Sequence, residues 1–465
     1  MAIRTISDLH QHLQWAIEIE HGTIPPYLFA LYSIKEGQNR EAAEVIASVF
    51  MEEMLHLTMA ANVLNAVGGS PRLDAPGVLP TYPTHLPHSA RAFEIPLERL
   101  SPDSLETFLK IERPSDHQGQ PEDDSYETIG QFYEAVELGI RGLCEQLGEG
   151  RVFTGDPGRQ VNDRLHYRGA GRLVEVSDLH SALEALEEII EQGEGLQHQQ
   201  VWDGDQQMFH PDRAEVAHYF RFEEIRLGRR YEPWDTPRSG PSGEPLPTDW
   251  DAVHNVRPNP RSGDCPEGSE ARRRMEEFNH SYSGILHLLE ESFNGNPGLL
   301  EVATGQMYGL KQQAIDLMKL PSGDGTTTVG PSFEYVPARQ RHRGKDAERR
   351  IVVVRDGPYL VYGDVPWCAN AESSPRTAGR SPGRRPRSSR RKRATRSADV
   401  DARGRSRSAT AHTPRSASTE PRPPTVHLPP TASGSTTEPV SSSGGTARSA
   451  CMPVSARAGP AGSSR

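Results

Sequence analysis

Apolar residues recur at helical spacing along most of the chain up to Leu317. Leu9, Leu13, Ile17 and Ile24 share one stripe and predict a helix over 6–36, with Ser7-Asp8 available as an N-cap. Pro25-Pro26 falls within that helix and predicts a kink or break, because proline removes a donor and crowds the preceding turn. Val45, Val49, His56, Ala60 and Val63/Leu64 place a second helix over 40–67, ended by Gly68-Gly69. Further helices are predicted over 125–148, 177–194 and 212–228, the last two as third and fourth members of a bundle. The Pro-rich, polar stretch 70–124, with one helical patch near 101–112, predicts an ordered excursion or lid outside the core. A long crossover thus separates the first helix pair from the last.

Beyond the Pro/Gly-rich segment 232–267, two more amphipathic helices follow. Met275, Phe278, Tyr282, Ile285, Leu289 and Phe293 form one face; Leu300, Ala303, Met307, Leu310, Ala314 and Leu317 form the other. Both faces read as core packing. Over 350–366 the pattern changes to a strand type, Ile351-Val352-Val353-Val354 and then Tyr359-Leu360-Val361. After that Ser, Arg, Pro, Ala and Thr dominate, and too little apolar surface remains to offset the entropy of ordering. The 465 residues therefore divide into a helical bundle (1–231), a Pro/Gly-rich connection with two packing helices (232–337), a short β segment (338–366) and a tail expected to be disordered (367–465).

The formal charge of −11 hides an uneven distribution. The body is acidic, while arginines crowd the tail from Arg376 onward, as in Arg390-Arg391-Lys392-Arg393. Such a tail can be a nucleic-acid arm, but Arg-Ser-Pro sequence without aromatics is a weak signal for one. Four cysteines without metal-type spacing fit a reducing compartment. The first residues lack a long apolar stretch, and no run is long enough to span a bilayer. A soluble, cytoplasmic protein is expected.

The bundle helices carry a specific set of acidic residues and histidines. A carboxylate-bridged dimetal site takes one Glu from each of two helices and Glu-x-x-His from each of the other two, since the i, i+3 spacing puts carboxylate and imidazole on one face. Glu53-Met54-Leu55-His56 and Glu215-Val216-Ala217-His218 are such pairs, each on the apolar stripe of its predicted helix. Glu20, three residues past Ile17, faces the core of the first helix. Glu194, four past Ile190, is favoured over Glu191 on the third. One Glu-x-x-His is usually a surface pair, and a lone inward histidine is usually a hydrogen-bonded core residue. Six residues in this order on apolar faces are hard to obtain by accident, and burying four carboxylates without a cation is very costly. Carboxylates with imidazoles suit iron, or alternatively manganese. The expected ligands are Glu20, Glu53, His56, Glu194, Glu215 and His218, in an all-α, ferritin-like four-helix bundle with a long crossover and additional C-terminal helices. Tyr133 reads as packing or as a neighbour of the site. No catalytic residue beyond these ligands is assigned.

Residues 5–335 resemble the ferritin-like domain of the iminophenyl-pyruvate dimer synthase type, found in bacterial bisindole pathways such as those to violacein and rebeccamycin. The similarity is carried by Glu20-His21-Gly22-Thr23-Ile24-Pro25-Pro26-Tyr27-Leu28, Glu52-Glu53-Met54-Leu55-His56, Glu191-Gln192-Gly193-Glu194-Gly195 and His218-Tyr219-Phe220-Arg221-Phe222-Glu223-Glu224-Ile225. Arg257-Pro258-Asn259-Pro260 and Gly330-Pro331-Ser332-Phe333-Glu334-Tyr335-Val336-Pro337 add to it. The resemblance implies a non-haem, metal-dependent oxidoreductase that uses O₂ on a small amino-acid-derived or imine substrate in secondary metabolism. The pathway enzymes are much longer than this chain. Iron oxidation without an organic substrate is the alternative, against which the long insertions speak. A homo-oligomer is left open.

Arg349 to Pro366 resembles the opening of a CDGSH-type iron–sulfur domain, but the Cys-x-Cys and Cys-Asp-Gly-Ser-His elements are missing. Reading Ser408 to Glu420 one base back allows a CDGSH signature, which makes the Arg-rich tail an out-of-frame translation product. A [2Fe–2S] cluster, and with it an electron donor to the bundle, is expected only if that frame is restored.

Overall fold

The computed structural model describes residues 3–89, 93–114, 126–162, 171–195, 200–337, 350–353 and 359–362. Nine helices occur among them: α1 (Ile6–Ser33), α2 (Arg40–Ala66), α3 (Pro102–Ile111), α4 (Ile129–Leu147), α5 (Glu149–Val152), α6 (Leu179–Glu194), α7 (His218–Leu227), α8 (Glu270–Phe293) and α9 (Leu299–Leu317). Two antiparallel pairs accompany them, β1 (Trp202–Gln206) with β2 (Ala214–Val216), and β3 (Arg350–Val353) with β4 (Tyr359–Tyr362). Tail residues 367–465 lie outside the described residues. So does most of the stretch read as the opening of an iron–sulfur domain, of which only β3 and β4 are described.

Four helices close a ring: α1 packs on α2 and α4, and α6 packs on α2 and α4. The predicted bundle counted 212–228 as the fourth member; α4 takes that place instead. Its Phe132, Tyr133, Val136, Ile140 and Leu143 are buried at helical spacing. Residues 212–228 do not form one helix. Ala214–Val216 pairs with β1, Ala217 is non-helical (φ −59°, ψ 159°), and α7 begins at His218. The ten-residue α7 packs on α2, α3 and α6. A long crossover is present between α2 and α4, and it contains α3. It is more deeply packed than the predicted lid, because Leu73, Ile95, Leu97, Leu100 and Leu105 all enter the main core. Helices α8 and α9 pack on each other, and also on α2 and α1 respectively. Met275, Phe278, Tyr282, Ile285, Leu289 and Phe293 of α8 are buried as their spacing predicts.

Thr5, not Ser7-Asp8, caps α1: its side chain accepts from the Asp8 amide in a capping box. The larger departure is at Pro25-Pro26, where α1 continues unbroken to Ser33. A proline at 26 has no N–H for the carbonyl of residue 22, one turn earlier. The Tyr82 hydroxyl, from the crossover, donates to that Gly22 carbonyl at 2.8 Å. Pro87 lies against Gly22 so closely that an added Cβ would meet its ring at 3.3 Å. The crossover thus satisfies one carbonyl that the prolines leave open. Tyr82→Phe should cost about 1–3 kcal/mol, the price of an unpaired buried carbonyl; equilibrium urea unfolding of parent and variant, with an unchanged slope, measures it.

Candidate metal centre

Two helices of the ring and two outside it converge on one buried cluster. Glu20 comes from α1, Glu53 and His56 from α2, Glu112 from the residue capping α3, and His218 from the first position of α7. All five are buried. Their ligand atoms form two groups, Glu20–Glu53–His56 and Glu53–Glu112–His218, each with its atoms within 4.8 Å of one another. Glu53 belongs to both. The two imidazoles face each other with ring centroids 5.4 Å apart.

A surrounding layer of hydrogen bonds orients these groups. His56 Nε2 donates to Gln192 Oε1 at 2.8 Å, and the Gln192 amide nitrogen donates to Asp205 Oδ2 at 2.7 Å, which fixes the way the amide points. His218 Nε2 donates to Glu52 Oε2 at 2.9 Å. With both Nε2 atoms engaged as donors, the two Nδ1 atoms turn inward. His56 Nδ1 lies 3.5 Å from Glu20 Oε2. His218 Nδ1 lies 3.0 Å from Glu53 Oε1 and 3.5 Å from Glu112 Oε2. Tyr133 donates to Glu20 and Tyr27 donates to Glu112, while Thr23 Oγ1 lies 2.9 Å from Glu53 Oε2.

The donor set fits a pair of metal ions on two grounds. Although His218 Nδ1 is close to two carboxylates, it makes no hydrogen bond of acceptable geometry. Neighbouring ligands about 2.1 Å from one ion lie roughly 3.0–3.4 Å apart, close to the observed separations of 3.0 and 3.5 Å. With protons alone to balance it, the cluster is also frustrated. Burial, then the charges of Glu112 and Glu20, drive the Glu53 pKa up. Burial opposes charge on both histidines, yet hydrogen bonds and charges from the surrounding carboxylates raise them above their ordinary value, His218 strongly. Burial also opposes ionisation of Glu20, but the bond and charge of His56 bring it below its usual range. Cations would replace the protons that the cluster otherwise draws in.

A family model described as Ferritin-like matches residues 13–227. The solved structure of a ferritin like protein from Caulobacter vibrioides superposes with a TM-score of 0.51 at 24% identity, over 72% of this chain and 100% of that one. The bundle is ferritin-like. Dichlorochromopyrrolate synthase of Lentzea aerocolonigenes is 26% identical over 420 residues, which is 76% of this chain but only 38% of that protein.

Of the residues picked from the sequence of this ferritin-like bundle, Glu20, Glu53, His56 and His218 lie together. Glu215 does not join them. It sits in β2, so the helical Glu-x-x-His spacing is lost, and its Oε1 lies 3.5 Å from Arg221 Nε. Glu194 is the last residue of α6, and its side chain lies outside the described residues; Gln192 of that helix faces the cluster. Glu112 was missed, although Leu105, Phe108 and Glu112 share one stripe of α3 and pointed inward. Nothing in the spacing marked Gln192 or Glu52.

Arg221 explains where Glu215 goes. Its buried guanidinium lies 2.8 Å from Glu52 Oε2 and 2.6 Å from Asp203 Oδ2, and it donates to Ser48 Oγ at 3.1 Å. One cation cannot hold three buried carboxylates ionised. Burial would raise Glu52, but Arg221 and His218 hold it down to about 2. Burial pushes Asp203 up to about 6, against the pull of Arg221. Glu215 is pushed up to about 8, by burial first and then by Glu52 and Asp203. The folded chain therefore keeps a proton on Glu215 that the unfolded chain releases. That contribution is complete below pH 4.5 and is lost as pH rises toward 8. In chelator-treated protein, the stability of the parent should fall between pH 5 and 8 by on the order of 3 kcal/mol relative to Glu215→Gln. Parallel profiles in urea unfolding would mean that Glu215 is ionised in the fold. Arg221→Leu should cost about 3–5 kcal/mol near pH 7, because it strands buried carboxylates.

Proposed function

We propose that this chain is a ferritin-like dimetal oxidoreductase. The observation that carries the reading is the pair of buried three-residue groups that share Glu53. Glu20, Glu53 and His56 would hold one ion, Glu53, Glu112 and His218 the other, with Glu53 between them. Carboxylate oxygens with imidazole nitrogens suit iron or manganese, and two such ions would supply electrons to dioxygen when bound.

The protein's own groups do the rest. Glu52, kept ionised by Arg221, holds the proton of His218 on Nε2 and leaves Nδ1 for the metal; Gln192 does the same for His56. Tyr133 and Tyr27 each give a hydrogen bond to a terminal carboxylate, which steadies it against swinging away. Phe108, Phe222 and Tyr27 pack against one another at tilted and edge-to-face angles, a compact apolar group that keeps bulk water from the cluster. The likeness to a protein named dichlorochromopyrrolate synthase supports a small amino-acid-derived or imine substrate, in secondary metabolism. An iron–sulfur domain restored in frame would be an electron donor.

Metal content decides the reading. Parent protein loaded anaerobically with Fe(II), Mn(II) or Co(II) should hold about two ions per chain. Glu53→Ala should hold none, and Glu20→Ala and Glu112→Ala about one each. Glu215→Gln should keep both, since Glu215 lies beside Arg221. Elemental analysis with a Co(II) titration reads the parent and all four variants. A parent that takes up no metal would overturn the proposal.

A further inference from the structure

The ferritin-like centre is buried, so a reactant needs a way in, and one cleft reaches it. It lies where the C-terminal end of α3, the first turn of α4 and the last turn of α6 meet. Arg113 at its lining is exposed, Ile129 and Gly193 are half-buried, and Ile189, Ile190, Glu112 and Tyr133 are buried. The lining therefore runs from solvent inward to Glu112 of one three-residue group and to Tyr133, which holds Glu20 of the other. The volume is about 20 Å³. A water-sized molecule needs about 10–15 Å³ of such space, so the cleft has room for one molecule of that size and not for an amino-acid derivative. Between Arg113 at the mouth and Glu112 at the inner end, four isoleucines, Ile111, Ile129, Ile189 and Ile190, line it, which favours small apolar molecules.

Gly193 is the telling residue. Glycine inside a helix costs about 0.5–1 kcal/mol relative to alanine. A Cβ built at Gly193 meets nothing within 4 Å, so packing does not demand glycine there. Its backbone is helical rather than left-handed, so conformation does not demand it either. What glycine does provide is an open wall to the cleft.

We propose that this cleft is the entry route for dioxygen, separate from the seat of any organic substrate, and that Gly193 keeps it open. The inference rests on the dimetal reading above. The test compares full-length parent, Gly193→Ala and Gly193→Leu, with isoleucine methyls isotope-labelled. Under pressure of xenon, an apolar probe somewhat bulkier than dioxygen, the methyl resonances of Ile129, Ile189 and Ile190 should shift in the parent and stay in place in Gly193→Leu. Gly193→Ala should be at least as stable as the parent to urea, which shows that the position tolerates a side chain. Both variants should titrate with Co(II) as the parent does. Oxidation of bound Fe(II) after mixing with dioxygen should be at least tenfold slower in Gly193→Leu. An unchanged oxidation rate with an intact Co(II) spectrum would overturn the route alone. So would parental methyls that ignore xenon. A parent that binds no Co(II) would overturn the metal reading, and the route with it.

Discussion

Carboxylates cannot be buried between helices unless positive charge is buried with them. That constraint organises this fold more than any apolar contact does. Glu20, Glu52, Glu53, Glu112, Asp203 and Glu215 are all withdrawn from solvent around the inner face of α2. Their compensation is divided in two. On one side Arg221 is placed permanently by α7, and it reaches Glu52 and Asp203. On the other side the built-in cations, among the described residues, are histidines that must take up protons to serve. The first side is a finished piece of structure. The second is a place prepared for ions, and His218 joins the two by donating to Glu52 while turning Nδ1 toward Glu53 and Glu112.

The division also separates the helices by role. Long α1 and α2 supply Glu20, Glu53 and His56 from regular positions deep in the ring. Short α3 and α7 supply Glu112 and His218 from their ends, where a chain terminus of a helix can be aimed. Helices α4 and α6 complete the ring and offer Tyr133 and Gln192, which hold ligands in place. The likeness to the ferritin fold therefore lies in the ring and the crossover. The second three-residue group starts from Glu53 of the ring and is completed by elements that the ring does not include.

How much of this was legible in the sequence follows from the length of each element. Over more than two dozen residues, the stripes of α1 and α2 fix which face is inside, and Glu20, Glu53 and His56 could be read from spacing alone. Around Glu215 the same reasoning failed. Helical spacing and a short strand both place residue 215 inward, and only the pairing with β1, a separate segment just upstream, chooses between them. The prolines of α1 were misread for a related reason, since the hydroxyl that satisfies Gly22 comes from Tyr82 in another segment. Glu112 was legible and overlooked, because α3 was taken as part of an outlying excursion. Gln192 could not be found by a search for charged ligands, as its role is to hold one.

The residue that the two groups share also has a topological meaning. The first group joins α1 to α2, neighbours in sequence that are already packed along their length. The second joins Glu53 of α2 to the far end of the crossover helix and to the start of α7, and so closes much longer loops of chain. An ion there would act as a cross-link: it restricts the unfolded chain and ties down the two segments least secured by the ring itself. Removing metal would then loosen the molecule unevenly, with the crossover and the β1–β2 hairpin beside α7 opening while the four helices of the ring stay together.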